Sequence, residues 1–181
     1  MRLVSEFLNV NLTSASGNAG RYAAQSNPMK LQASNGNSFD LQIIGYQFPD
    51  NTDCEYDANW LIIDIDVIHP DGRWRVRNPS MLTTEVATLS RWLRHHNQTY
   101  NKTQSCGFIE PNLEFRFSDD RETLAVYFDL ESRPDWIPDK YNFDGDVFVD
   151  FPTAQLNLQS AADDLDRQLL QFPERGIRKS H

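Results

Sequence analysis

Cys54 and Cys106 are the only thiols in 181 residues, and they stand far apart in the chain. That argues against a disulfide framework and leaves no Cys-x-x-Cys spacing for a zinc or redox site. Positive charge is scarce too. The chain has 17 Lys and Arg against 26 Asp and Glu, a formal net charge of −9, and direct nucleic-acid binding needs the Lys/Arg patches that contact phosphates. Residues 1–11 lack the apolar run of a secretory signal, and no stretch approaches the ~20 apolar residues of a membrane span. Catalytic signatures are missing as well: there is no Gly-x-Ser-x-Gly, P-loop, Gly-x-Gly-x-x-Gly or His-Glu-x-x-His. Adjacent His95 and His96 point to different sides of a helix and so make no zinc pair. The run 142–146 looks like a calcium loop, but aligned on Gly145 it places Lys140 and Phe151 where that loop needs acids. The expectation is a cytoplasmic protein with reduced thiols, no catalytic residue, no metal or cofactor, and no nucleic-acid or membrane partner.

The chain does have strong β patterning around a central hairpin at 57–79. From Trp60 to Ile68, residues Leu61, Ile63, Ile65 and Val67 alternate against Trp60, Ile62, Asp64, Asp66 and Ile68. His69-Pro70-Asp71-Gly72 supplies turn chemistry, and Arg73–Arg77 returns with Trp74 and Val76 on one face and three arginines on the other. A three-residue loop would set Asp66 opposite Val76. A four-residue loop sets Asp66 opposite Arg75, Asp64 opposite Arg77 and Val67 opposite Trp74. Only the second keeps each face uniform, since a one-residue slip moves every side chain to the wrong face.

Further strands are expected at 7–12, 29–32, 39–48, 113–117, 123–131 and 147–151, with Asn35-Gly36 as a hairpin turn. Residues 13–27 read as a loop, 97–105 as an exposed loop and 176–181 as a frayed tail. Two helices are expected. The first runs over 84–95 with Thr83 as N-cap and Arg91, Arg94, His95 and His96 complementing its C-terminal dipole. The second runs over 154–171 with an apolar face of Leu158, Ala161, Ala162, Leu165, Leu169 and Phe172. One α+β domain follows, with seven or eight hairpin-connected strands in a largely antiparallel sheet and two helices packed on it.

Two carboxylate pairs invite a functional reading, Asp64 with Asp66 and Asp129 with Glu131. As an unpaired set in a concave pocket they would suit a metal-dependent or small-ligand enzyme. Opposite-charge pairing across the strands, with Arg75 and Arg77 for the first pair, is the ordinary sheet pattern and the favoured reading. The loop ahead of the hairpin carries Asp50, Asp53, Glu55 and Asp57 without a Lys or Arg, and Asp144 and Asp146 form a smaller acidic group. Trp136, between Pro134 and Pro138, is placed either to anchor a partner or to pack over a sheet edge.

Several ordered fragments resemble the WapI family of immunity proteins: Tyr46-Gln47-Phe48-Pro49, Tyr56-Asp57-Ala58-Asn59-Trp60-Leu61, Gly72-Arg73-Trp74, Leu82-Thr83-Thr84-Glu85 with Arg91-Trp92-Leu93, Phe108-Ile109-Glu110-Pro111-Asn112-Leu113, Glu131-Ser132-Arg133-Pro134-Asp135-Trp136, and Gln171-Phe172-Pro173-Glu174-Arg175. The resemblance implies a cytoplasmic antidote that binds the C-terminal domain of a cognate, contact-delivered bacterial toxin. Toxins of that kind are often nucleases with basic surfaces. No catalytic set is carried over by the resemblance. The matching residues are mostly aromatics, prolines and turn or cap residues, which assigns toxin specificity to the less patterned loops. The candidate partner-binding residues are the acidic loop Asp50, Asp53, Glu55 and Asp57 first, the smaller acidic group Asp144 and Asp146 second, and Trp136 as an aromatic anchor. A housekeeping interaction protein with another partner is the remaining alternative.

Overall fold

A computed structural model describes residues 27–97, 104–137, 139–140 and 142–176. The expected strand at 7–12, all but the last residue of the loop at 13–27, residues 98–103 of the loop at 97–105, and the tail beyond Gly176 lie outside the described residues. Among the described residues, eight antiparallel strands divide equally between two sheets. The first is a meander of β1 (Met29–Gln32), β2 (Ser38–Tyr46), β3 (Trp60–His69) and β4 (Gly72–Leu82). The second is a meander of β5 (Ser105–Gly107), β6 (Leu113–Phe117), β7 (Thr123–Phe128) and β8 (Val147–Pro152). Helix α1 (Thr83–Arg94) connects the sheets and α2 (Leu158–Gln171) follows β8. This is the α+β plan expected from the hydrophobic periodicities, and the division into two sheets is what local patterning does not carry.

The alternating residues of the first sheet turn inward and meet those of the second. Phe39 of β2 lies edge-on to Phe115 of β6 at 5.6 Å, and Trp74 of β4 meets the ring of Phe128, at the end of β7, at 5.0 Å. Trp92 of α1 covers Phe117 at 4.8 Å. One continuous cluster of buried side chains runs through both sheets and both helices. Burying each large apolar side chain of such a cluster contributes about 1.5–3 kcal/mol relative to exposure.

In the central hairpin Asp64 pairs with Arg77, Asp66 with Arg75 and Val67 with Trp74, as the uniform-face argument requires. His69 also pairs with Gly72, which narrows the tip to Pro70 and Asp71. β4 runs on to Leu82 past a bulge opposite Leu61 and Ile62. Pro79 is tolerated there because β4 is an edge strand.

Some boundaries differ from the sequence expectation. β2 ends at Tyr46, after a bulge between Ile43 and Gly45. β7 stops at Phe128, because Leu130 takes a positive φ of 49° and opens a short 3-10 turn through Ser132. Thr83 is not the N-cap of α1. Its hydroxyl donates to Asn59 Oδ1 at 2.9 Å, while Glu85 reaches back to accept from the Leu82 N–H at 2.8 Å. Arg94 turns from the helix end to Asp163 and Asp166 of α2, at 2.8 and 2.7 Å. α2 begins at Leu158, capped by Asn157 Oδ1, and residues 153–155 form a separate 3-10 turn.

Gln168 occupies the core face of α2 although it is polar, and it is fully buried. Its amide accepts from the Ile43 N–H at 2.6 Å and donates to the Leu41 carbonyl at 3.1 Å. It thereby continues the pairing of β2 past Met29, where β1 begins, and supplies partners for backbone groups that would otherwise be buried without them.

Candidate partner-binding surface

Residues 48–59 leave β2 and return to β3 through a loop closed at its base by the Gln47 N–H donating to the Trp60 carbonyl at 2.8 Å. Such a closed-base loop is compact and surface-exposed. Asp50, Asp53, Glu55 and Asp57 are all exposed on it, and no Lys or Arg among the described residues forms an ion pair with any of the four. Two aromatics stand among these acids. Tyr56 is 62% exposed and Phe48 is 42% exposed. Sequence reasoning missed both as surface residues; the place of Tyr56 inside a polar, acidic run is a readable signal, whereas Phe48 alternates with Tyr46 at the end of the expected strand 39–48.

The loop is held from behind by the segment after α2. The Arg175 guanidinium donates to the carbonyls of Ala58 and Pro49, each at 2.8 Å, and of Phe48 at 3.1 Å. It also lies over the Tyr46 ring, 3.4 Å from the centroid, a cation–π contact. The Tyr46 hydroxyl in turn donates to the Pro173 carbonyl. Burial pushes the Tyr46 phenol up, and the nearby Arg175 charge partly offsets this. Asn59 is buried at the same joint and uses its whole amide. It donates to the Glu55 and Arg175 carbonyls at 2.6 and 2.8 Å and accepts from Thr83 Oγ1 and the Arg175 N–H at 2.9 and 2.8 Å. The four acids therefore project from a fixed backbone.

The strand carboxylates have a different character. Asp64, only 5% exposed, accepts from Arg77 Nε and Nη2 at 2.8 and 2.6 Å and from Arg75 Nη2 at 2.7 Å. The Arg77 hydrogen bonds, joined by those of Arg75 and the charges of both, hold the carboxyl below the usual range despite its burial. Asp66 is gripped by Arg73, at 2.8 and 2.6 Å, rather than by Arg75 directly across from it. Its carboxyl is likewise lowered, chiefly by the Arg73 hydrogen bonds. Asp129, beyond β7 in the other sheet, accepts from the Leu130 N–H and pairs with Arg133 at 2.8 Å. Asp64 and Asp66 are Arg-paired on the first sheet and Asp129 is Arg-paired beyond the end of β7, while Glu131 lies in the 3-10 turn that follows. Among the described residues no group of His, Cys, Asp or Glu is arranged to hold a metal ion.

The remaining candidates gather elsewhere. Trp136 stands edge-on to Trp74 at 5.4 Å and 88° and lies over Gly72, and it is still 44% exposed. It shares a groove with Asp146 and the hairpin tip. Asp144 is exposed in the same approach to β8. The acidic loop enters β3 at Trp60 and the hairpin tip follows its other end, so about 30 Å of strand, at ~3.3 Å per residue, separates the two groups.

The model of the WapI-like immunity protein family matches residues 30–173, most of the chain. The chain belongs to the WapI-like immunity protein family. The matched span includes the acidic loop, the central hairpin, the Trp136 segment and both helices. The comparison with curated proteins found no match, and neither did the comparison with solved structures. Membership gives this WapI-like protein an immunity role and a toxin protein as its partner. No helix among its described residues is long and apolar enough to cross a membrane.

Proposed function

We propose that this immunity protein acts in the cytoplasm without catalysis, by laying the acidic loop at 48–59 on a basic surface of its cognate toxin's C-terminal domain, a nuclease whose substrate groove it masks. The observation that carries this reading is the combination of Asp50, Asp53, Glu55 and Asp57, unpaired among the described residues, with exposed Tyr56 and Phe48 on a backbone tied down by Arg175 and Asn59. Acids steer the encounter and set its orientation. Exposed aromatics on a preorganised loop supply the buried contact that slows dissociation, at small entropic cost. The net charge of −9 adds long-range attraction to a basic partner.

Coexpression with the C-terminal domain of a candidate cognate toxin is the direct test. Rescue of growth and copurification are the expected results, and toxicity without any complex would overturn the reading. In the purified pair, Asp53→Asn, Glu55→Gln and Asp57→Asn together are expected to slow association about tenfold or more at low salt and to flatten its salt dependence. An unchanged association rate would place the interface elsewhere.

A further inference from the structure

The hairpin tip carries a second built feature, a groove of about 240 Å³ between β3–β4 and the approach to β8. Its walls include Trp74, Trp136, Phe143 and Phe148, and its rim carries Asp71 and Asp146. Trp136 and Phe148 keep 44% and 41% of their surface exposed, so the aromatic wall faces solvent. No Lys or Arg lines the groove among the described residues. The Asp71 side chain is itself 76% exposed and lies 3.4 Å from the His69 ring; among the described residues neither Asp71 nor Asp146 has an ion pair with a Lys or Arg. Two nearby cations are already engaged: Arg116, which feels the Asp146 charge, by Glu114 at 2.8 Å and the Tyr127 ring, and Arg133, 5.4 Å over the Phe143 ring, by Asp129 at 2.8 Å.

An apolar aromatic wall with carboxylates at its rim repels anions and favours a cation that also has an apolar body. A guanidinium or ammonium on a methylene stem has that form: the stem lies along the rings and the charge meets both the ring faces and the carboxylates. The volume falls below the ~300–1,000 Å³ of small-molecule sites, which suits one inserted side chain rather than a cofactor. We infer that this groove receives a basic side chain, Arg or Lys, presented by the protein partner, as a second anchor about the length of β3 away from the acidic loop. The inference rests on the reading of the partner as a basic protein.

The groove can be tested without that partner. Nα-acetyl-arginine amide, titrated into the intact protein, is expected to give saturable NMR shifts at the Trp136 indole N–H and the Gly72 amide in the millimolar range. The isosteric, uncharged citrulline amide is expected to bind at least tenfold more weakly. Trp136→Ala should abolish the response. Because that change also removes packing on the hairpin, the surface pair Asp71→Asn and Asp146→Asn serves as the second variant, and a tenfold weakening is expected from it. No saturable shift at Trp136, an equal response to the citrulline amide, or indifference to the Asn pair would each overturn the proposal. If the arginine amide binds while coexpression gives neither rescue nor complex, the groove stands and the toxin reading falls. If the toxin domain binds but the groove is silent, the reverse holds.

Discussion

The side chain of Asn59 pairs with the backbone of Arg175 as a neighbouring strand would, its amide donating to the carbonyl and its carbonyl accepting from the N–H, each at 2.8 Å. The same two residues then close the acidic loop from below, because Arg175 also holds the carbonyls of Phe48, Pro49 and Ala58. A segment that follows the last helix thus sets the shape of a loop that precedes the third strand.

Arg175→Ala is expected to lower stability by about 2 kcal/mol, since one charge-assisted hydrogen bond is worth about 1.5–3 kcal/mol and the several that Arg175 makes are discounted by its half-exposed position. The sharper readout is local. Amide hydrogen exchange over residues 48–58 should accelerate well beyond that of the sheets. Arg175→Lys keeps the charge but not the planar fork and should fall between.

The loop carries its own reporter. Cys54 is exposed beside Glu55 and Tyr56, whereas Cys106 is buried. Burial, reinforced by the charges of Glu85 and Glu114, pushes the Cys106 thiol up to about 11. At pH 8 a thiol reagent should therefore label Cys54 alone in the native protein and both residues after denaturation. Bound toxin domain should protect Cys54 at least tenfold. Unchanged labelling in the complex would count against the loop as the interface.

Asp64 sets part of the acid limb of stability. Its folded pKa lies below the unfolded value because Arg77 and Arg75 hydrogen-bond the ionised form. The stabilisation is therefore fully present above the ordinary carboxylate range and is lost as pH falls through the lowered folded value. Asp64→Asn should destabilise the protein at neutral pH and reduce the slope of stability against pH below the carboxylate range, by at most one proton, about 1.4 kcal/mol per pH unit. Urea denaturation across pH 2–7 measures it.

Gly72 couples the hairpin tip to the groove. A β-carbon there would stand 3.2 Å from the Trp136 ring, at a φ of +154° that L side chains rarely adopt. Gly72→Ala should cost about 1–2 kcal/mol through backbone strain and displace Trp136 from Trp74, visible as a changed Trp fluorescence and near-UV dichroism. An unperturbed spectrum would show that the ring is not held by this contact.

The sequence by itself determined what depends on neighbours in the chain. Alternation placed Leu61, Ile63, Ile65 and Val67 inward, the cost of mixing faces selected the register that sets Asp64 opposite Arg77, and the spacing of Leu158, Ala161, Ala162 and Leu165 marked the buried face of α2. Family membership was legible too, from turn and aromatic fragments in fixed order. Tertiary structure alone decided which polar groups serve the backbone of distant segments. Gln168 and Asn59 are carboxamides whose buried roles depend on unpaired N–H and C=O groups at Leu41, Ile43 and Arg175, over a hundred positions away. It also decided that the strands split into two sheets, that Phe48 faces solvent, and that Trp136 and Asp146 share a groove at the hairpin tip, far from the acidic loop. Periodicity records which side of an element is dry, because burial acts on each residue in turn. Pairing between segments depends on chain ends and edges that meet only after the two sheets have closed on one core.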